Sequence, residues 1–127
     1  MGLVNAGRDF IASAICNNGS PIFYNSSNAR LGVGDSSAAY AASQTDLQAS
    51  TNKFRKLVSG APGVASNVIT FVATFATGEA NFAWNEIGVF NTATANQGML
   101  CRVVQSLGTK SSGDWTLTHT VTVTVGS

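Results

Sequence analysis

The sequence has few charged residues, and this shortage excludes several classes of protein. Only 10% of its 127 residues are charged, with seven Lys and Arg against six Asp and Glu and a formal net charge of +1. An average soluble domain is about 25% charged. A nucleic-acid-binding protein needs a basic face to neutralise phosphates, and a polybasic anchor needs clustered Lys and Arg. The charge balance therefore predicts no nucleic-acid partner and no membrane partner.

The sequence also lacks the features of membrane insertion and of metal binding. It contains no run of about 18 apolar residues, and its start has neither the basic region nor the apolar core of a secretory signal. Its two cysteines, Cys16 and Cys101, have neither the close spacing nor the histidine neighbours of a zinc site. We expect no metal and no cofactor, and the sequence leaves open whether the two cysteines form a disulfide.

Groups that could carry catalysis are few. The single histidine, His119, shares a strand face with Leu117 and Val121, where a histidine is more often a packed residue than a base. There is no Gly-x-Ser-x-Gly motif, and the six carboxylates show no pairing pattern. The segment Gly32–Asp35 lacks the third glycine of a dinucleotide-binding turn, so a tight β-turn is the better interpretation. We therefore expect that the protein is not an enzyme.

Serine, threonine and asparagine supply the polarity that charged residues usually supply. Hydroxyl and amide groups cost less free energy to bury with a partner than ions do. A chain with little net charge also repels its own copies weakly. This composition favours self-association, and an ordinary β-domain with threonine-rich strands is the alternative.

The hydrophobic pattern predicts a β-rich domain with one helix. Apolar residues at helical spacing indicate a helix over residues 3–15, and a capping-box pattern indicates one helical turn near residues 45–50. Strands are expected at residues 22–24, 29–33, 53–59, 67–76, 84–90, 99–107 and 115–125. Together these elements predict one domain over residues 1–127, an all-β or β-dominated antiparallel β-sandwich with one short N-terminal α-helix.

The last predicted strand, residues 115–125, shows the strictest alternation. Apolar residues and His119 take one face, and threonines take the other. No charged residue or proline protects this strand except Asp114 at its entrance, so the strand is either central in its sheet or covered by a partner. The side chains that we expect at an interface here are Trp115, Thr116, Thr118, Thr120, Thr122 and Thr124.

Glu86 is the most informative charged residue, because it lies within the apolar segment Trp84–Phe90. Strict alternation puts its side chain on the same strand face as Trp84 and Phe90. We expect Glu86 to be partly buried and to need a donor, from an arginine or from backbone N–H groups. The favoured interpretation is a structural anchor, and an interface or metal carboxylate is the alternative.

Several short motifs follow one another in a particular order. They are Ala6–Ala12, Leu31–Asp35, Thr45–Leu47, Trp84–Phe90, Gly98–Leu100, Leu107–Lys110 and Leu117–Val125. This order resembles the N-terminal domain of phage tail-collar fibre proteins and covers nearly the whole chain. The first turn reads Gly-Val-Gly-Asp, where those domains carry Gly-Asp-Gly. The resemblance implies a non-enzymatic structural protein of a tailed-bacteriophage virion, assembled in the host cytoplasm.

The chain ends at Ser127, where a fibre would continue into a shaft. We therefore expect a capsid cement or decoration protein that self-associates as a trimer and binds the major capsid protein. A tail collar, baseplate or fibre-attachment subunit is the first alternative. A carbohydrate-binding module with Tyr24, Tyr40 and Trp115 in its site is the second. The expected contact segments are Gly2–Phe10, Gly34–Ser43 and Trp115–Val125.

Overall fold

The computed structural model describes residues 2–126 and confirms a β-dominated fold with one short helix. Its elements in chain order are α1 (Asn5–Cys16), β1 (Arg30–Gly34), β2 (Lys53–Leu57), β3 (Gly63–Ala65), β4 (Val68–Phe75), β5 (Ala83–Phe90), β6 (Met99–Thr109) and β7 (Trp115–Thr122). The strands form two antiparallel sheets, with the orders β2-β1-β5-β6 and β3-β4-β7. This arrangement agrees with the predicted sandwich.

The two sheets pack against each other through one apolar core. Alternation along β4 directs Phe71 and Phe75 into this core, and Ile87 and Val89 of β5 meet them from the other sheet. Trp84 lies among them, with its ring centroid 4.8 Å from that of Phe75. The contact between the sheets therefore includes aromatic side chains from both of them.

The four-stranded sheet is buried on its other face as well. Gly32 and Gly88 are paired across β1 and β5, and the Phe90 ring lies directly against them. A β-carbon at Gly32 would come within 2.6 Å of that ring. Leu47, from the loop before β2, packs on the same side. The loop over residues 40–50 is therefore a third layer, and glycine in the strands lets it approach closely.

The N-terminal segment covers the outer edge of β6. The Val4 N–H donates to the Leu100 carbonyl at 3.1 Å, and the Arg102 N–H donates to the Gly2 carbonyl at 2.8 Å. Helix α1 begins at Asn5 and packs on β6 through Gly7. The backbone of this segment is therefore already used inside the chain.

The cysteines are separate thiols. Cys16 is exposed at the end of α1, whereas Cys101 is buried in the core. Burial raises the pKa of the Cys101 thiol to about 12, because the thiolate would lose its hydration. No helix within residues 2–126 is long and apolar enough to cross a membrane.

The structure corrects the predicted elements in the first half of the chain. Residues 22–24 form no strand, and Tyr24 is instead held by its side chain, whose ring packs on Phe10 and whose hydroxyl donates to the Gly98 carbonyl. Residues 45–50 form no helical turn. In the predicted capping box Thr45 would accept from the Gln48 N–H, but that N–H donates to the Glu86 carboxylate at 2.7 Å.

Two predictions for strands were also wrong in detail. The three-residue strand β3 was not predicted, since so short a segment cannot show alternation. The last strand ends at Thr122 and not at residue 125. Its terminal pairing is with Val68, the first residue of β4, so β4 sets the length of β7.

Candidate functional site

Glu86 is completely buried and has three donors. Its Oε1 atom accepts from Arg102 Nε at 2.8 Å and from the Gln48 N–H at 2.7 Å, and its Oε2 atom accepts from the Ala49 N–H at 2.9 Å. Both charged side chains are 0% exposed. Glu86 therefore joins β5, β6 and the loop over residues 40–50, and water cannot reach this carboxylate as the structure stands.

The expectation that Glu86 and Trp84 share one strand face was wrong. The pairing of β5 with β6 changes register between these two residues. Such an irregularity interrupts the period of two. Trp84 consequently belongs to the core between the sheets with Ile87, whereas Glu86 lies on the opposite face with Phe90.

Asp46 forms the second buried ionic cluster, between the third layer and β2. Its Oδ1 atom accepts from Arg55 Nη2 at 3.0 Å, and its Oδ2 atom accepts from the Asn96 N–H at 2.9 Å. The Arg55 guanidinium also lies 3.5 Å above the Phe90 ring, a cation–π contact. Burial alone would raise the pKa of Asp46, but the hydrogen bonds from Asn96, Arg55 and Leu47 outweigh it and lower that pKa.

The lowered pKa of Asp46 predicts a loss of stability in acid. A carboxylate with a folded pKa below its unfolded pKa stabilises the fold above the unfolded pKa, and this contribution is lost as the pH falls through the folded value. We expect the melting temperature of the wild type to exceed that of Asp46→Asn at pH 7. The difference should shrink below about pH 4, the ordinary range of aspartate. Circular dichroism melts of both proteins from pH 7 to pH 2 measure it, and a gap that stays constant over that range would contradict the assignment.

Lys110 is a further buried charge, and its partners are neutral oxygens. Its Nζ atom donates to the carbonyls of Ala76 and Glu79 at 2.8 and 2.9 Å and to the Asn81 side-chain oxygen at 2.8 Å. The side chain is 1% exposed. Lys110 therefore holds together the loop between β4 and β5. Its hydrogen-bonding capacity is used within the chain.

Strand β7 differs from these clusters because it leaves hydrogen-bonding groups unused. It lies at the edge of its sheet and pairs with β4 only. The Val123 N–H donates to the Asn67 carbonyl, so residues with odd numbers direct their backbone groups to β4. The residues with even numbers direct theirs away from the sheet. Those residues are Thr116, Thr118, Thr120 and Thr122, whose side chains are all exposed.

The other predicted interface residues lie close to this edge. Trp115 packs its ring on Trp84, with centroids 5.1 Å apart, and is half-buried. Thr124 is exposed beyond the end of β7. His119, on the inner face opposite Phe71, is half-buried, and burial lowers its pKa because the charged imidazolium would lose its hydration.

An apolar groove lies beside this strand, between α1 and the three-stranded sheet. Its volume is about 360 Å³. Phe10 and Ile11 of α1 line one wall, and Val64, Val121 and Val123 are among the residues of the other wall. Val64 is 72% exposed. The groove leaves apolar side chains in contact with water.

The three aromatic residues expected in a sugar site have separate contacts. Tyr24 packs on Phe10 and lines the α1 groove. Tyr40 donates its hydroxyl to the Leu3 carbonyl on the N-terminal segment. Trp115 packs on the core at the start of β7. These three side chains therefore pack in different places and do not form one aromatic surface on which a sugar ring could stack.

The segments expected to contact other proteins have different surroundings. Gly2–Phe10 pairs with β6 through its first residues, whereas most of Gly34–Ser43 is exposed beyond residue 36. Within residues 2–126, no group of three or more His, Cys, Asp and Glu side chains could hold a metal ion. In comparisons with known proteins, the chain matches no family model, no curated protein and no solved structure.

Proposed function

We propose that the chain is a non-enzymatic structural subunit of a tailed-bacteriophage virion, namely a capsid cement protein that binds neighbouring major capsid subunits. The observation that carries the proposal is the unprotected edge of β7 in the three-stranded sheet. An edge strand without lysine, proline or a bulge readily pairs with a strand of another chain. In a cement protein such an edge would join neighbouring copies of the chain, and other surfaces of the joined copies would bind the capsid subunits.

The distribution of charge supports a role that depends on burial. Asp46, Glu86, Arg102 and Lys110 are all buried and bound to partners inside the chain. They fix the loops and β-strands to one another. The exposed face of β7 carries only threonine hydroxyls, and the groove beside α1 is apolar. Such a surface can be buried against a neighbour without the cost of desolvating ions.

Burial at an interface that exists only in the assembled shell stabilises that shell. Each copy that binds the assembled capsid and not its free subunits shifts the equilibrium toward assembly. The proposed partners are therefore the major capsid protein and further copies of this chain. The trimer that the resemblance led us to expect stays a prediction, and light scattering of the purified chain measures the order of self-association.

The test is to count the protein in purified particles of the phage that encodes it. For a cement protein we expect hundreds of copies per particle, in a fixed ratio to the major capsid protein, with density on the outer capsid surface by cryo-electron microscopy. A few copies at the neck or tail would contradict the capsid site and favour a collar or baseplate subunit. Absence of the protein from particles would contradict any structural role in the virion.

A further inference from the structure

We propose that β7 pairs with β7 of a second copy, in antiparallel orientation, about a two-fold axis that passes through His119. The pair would join the two three-stranded sheets into one continuous six-stranded sheet. The inference deepens the self-association in the proposed function and rests on that function only for its place in the virion.

The free edge presents a regular row of donors and acceptors. Because the odd-numbered residues bond to β4, the N–H and C=O groups of the four threonines from Thr116 to Thr122 point away from the sheet. No hydrogen bond from another segment within residues 2–126 reaches these backbone groups. An approaching strand can therefore exchange hydrogen bonds with each of the four threonines in turn.

The strand is its own antiparallel complement. Its sequence from residue 116 to residue 122 reads Thr-Leu-Thr-His-Thr-Val-Thr, which has the same pattern in both directions about His119. A two-fold axis at His119 places Thr116 opposite Thr122 of the second copy and Thr118 opposite its Thr120. Every threonine of one strand then forms a hydrogen-bonded pair with a threonine of the other, and threonine pairs across strands are favourable.

The side chains on the inner face of β7 and the positions of the charged residues are also compatible with this axis. Leu117 lies opposite Val121 of the second copy, so that apolar side chains meet apolar side chains. No charged residue occurs from Trp115 to Ser127, and Asp114 at the start of the strand would lie near Thr124 of the second copy. No like charges are therefore brought together, which would otherwise oppose strand pairing. A symmetric contact of this kind closes on itself as a dimer.

The first test compares lysine variants by light scattering with size-exclusion chromatography. The wild type is expected to reach twice its mass of 13.1 kDa as the concentration rises. Thr120→Lys, on the free edge, should raise the dissociation constant at least about tenfold, because charge on an edge strand opposes pairing. The matched control is Thr70→Lys, which lies beside Thr120 on the same sheet face but on the central strand β4. The dissociation constant of Thr70→Lys should stay much closer to the wild-type value than that of Thr120→Lys.

A proline variant tests the role of the backbone. Thr118→Pro removes one outward N–H and puts a ring in its place. Proline is tolerated at edge positions whose N–H faces solvent. The variant should keep the circular dichroism spectrum of the wild type and lose dimerisation, whereas Thr118→Val should keep both. If Thr118→Pro does not fold, the lysine variants and the crosslink below still test the proposal.

A disulfide crosslink tests the axis itself. In a Cys16→Ser background, His119→Cys places one thiol of each copy opposite the other at a non-hydrogen-bonded position, where Cα atoms are about 4.5 Å apart. That spacing allows a disulfide. Val121→Cys is the control, because its own counterpart lies four residues away along the partner strand. We expect a covalent dimer from His119→Cys and much less from Val121→Cys.

Three results would overturn the inference: a monomer at all concentrations, a trimer, or equal crosslinking of the two cysteine variants. These results are distinct from failure of the proposed function. A protein that is abundant on capsids but monomeric when isolated would refute the β7 pair and leave the cement role in place. A dimer with this axis that is absent from particles would refute the cement role and leave the pair in place.

Discussion

Glu86→Ala is expected to lower the free energy of unfolding by about 3–5 kcal/mol, because removing one partner of a buried ion pair leaves the other charge uncompensated. Arg102 would keep only its hydrogen bond to the Gln44 side chain, at 3.2 Å. The N–H groups of Gln48 and Ala49 would also lose their acceptor. The loop over residues 40–50 should then detach from the sheet. Urea unfolding followed by tryptophan fluorescence measures the effect, since Trp84 is buried in the core.

The matched control for this substitution is Asp9→Ala. Asp9 also pairs with an arginine at 2.8 Å, but both side chains are about two-thirds exposed, at 65% for Arg8 and 67% for Asp9. Exposed ion pairs contribute about 0–1 kcal/mol, so Asp9→Ala should unfold close to the wild type. An unchanged melting temperature for Glu86→Ala would refute its role as a structural anchor.

Gly7→Ala is expected to destabilise the protein by up to about 2 kcal/mol, although alanine is the better helix former. Helix propensity alone would stabilise an exposed site by about 1 kcal/mol. Here, however, a β-carbon at Gly7 would lie 2.1 Å from the backbone carbonyl oxygen of Leu100. Backbone of a paired strand cannot give way as a flexible side chain can. Helix α1 would have to move away from β6, and overpacking of this kind usually costs about 1–3 kcal/mol.

Gly78→Ala is the control for Gly7→Ala. No atom lies within 4 Å of a β-carbon built at Gly78, so the added methyl group meets open space. Thermal melts should show a large decrease for Gly7→Ala and little change for Gly78→Ala. A stabilised Gly7→Ala protein would mean that α1 does not pack on β6 as described.

The long alternating strands could be predicted from sequence because their pattern reflects one buried face. In β4 and β7 the residues expected on the inner face, such as Phe71, Phe75 and Leu117, are those that the structure buries. Alternation did not predict the inner face of β5 correctly, because an irregularity interrupts the period of two in that strand. The register change between Trp84 and Glu86 moved these residues to opposite faces, and one strand read without its partner contains no sign of it.

Partners distant in the chain could not be predicted for the buried charges. The sequence indicated that Glu86 needs a donor, but the choice of Arg102 and of two N–H groups from the loop over residues 40–50 depends on the third layer. Lys110 gave no comparable signal, because a lone lysine in a polar loop looks like an exposed one. Its burial results from carbonyl groups that converge only after the loop between β4 and β5 has folded.

The sequence by itself determined the class of the fold. Alternation of apolar residues and threonines is a local pattern, which can be recognised within a single strand without knowledge of its partners. The sequence also determined that little charge is available for the surface. The tertiary structure alone decided that β7 lies at an edge and that its threonines present their backbone groups outward. The edge position of β7 depends on the order of the strands in the sheet. That order is set by contacts between residues that are far apart in the chain.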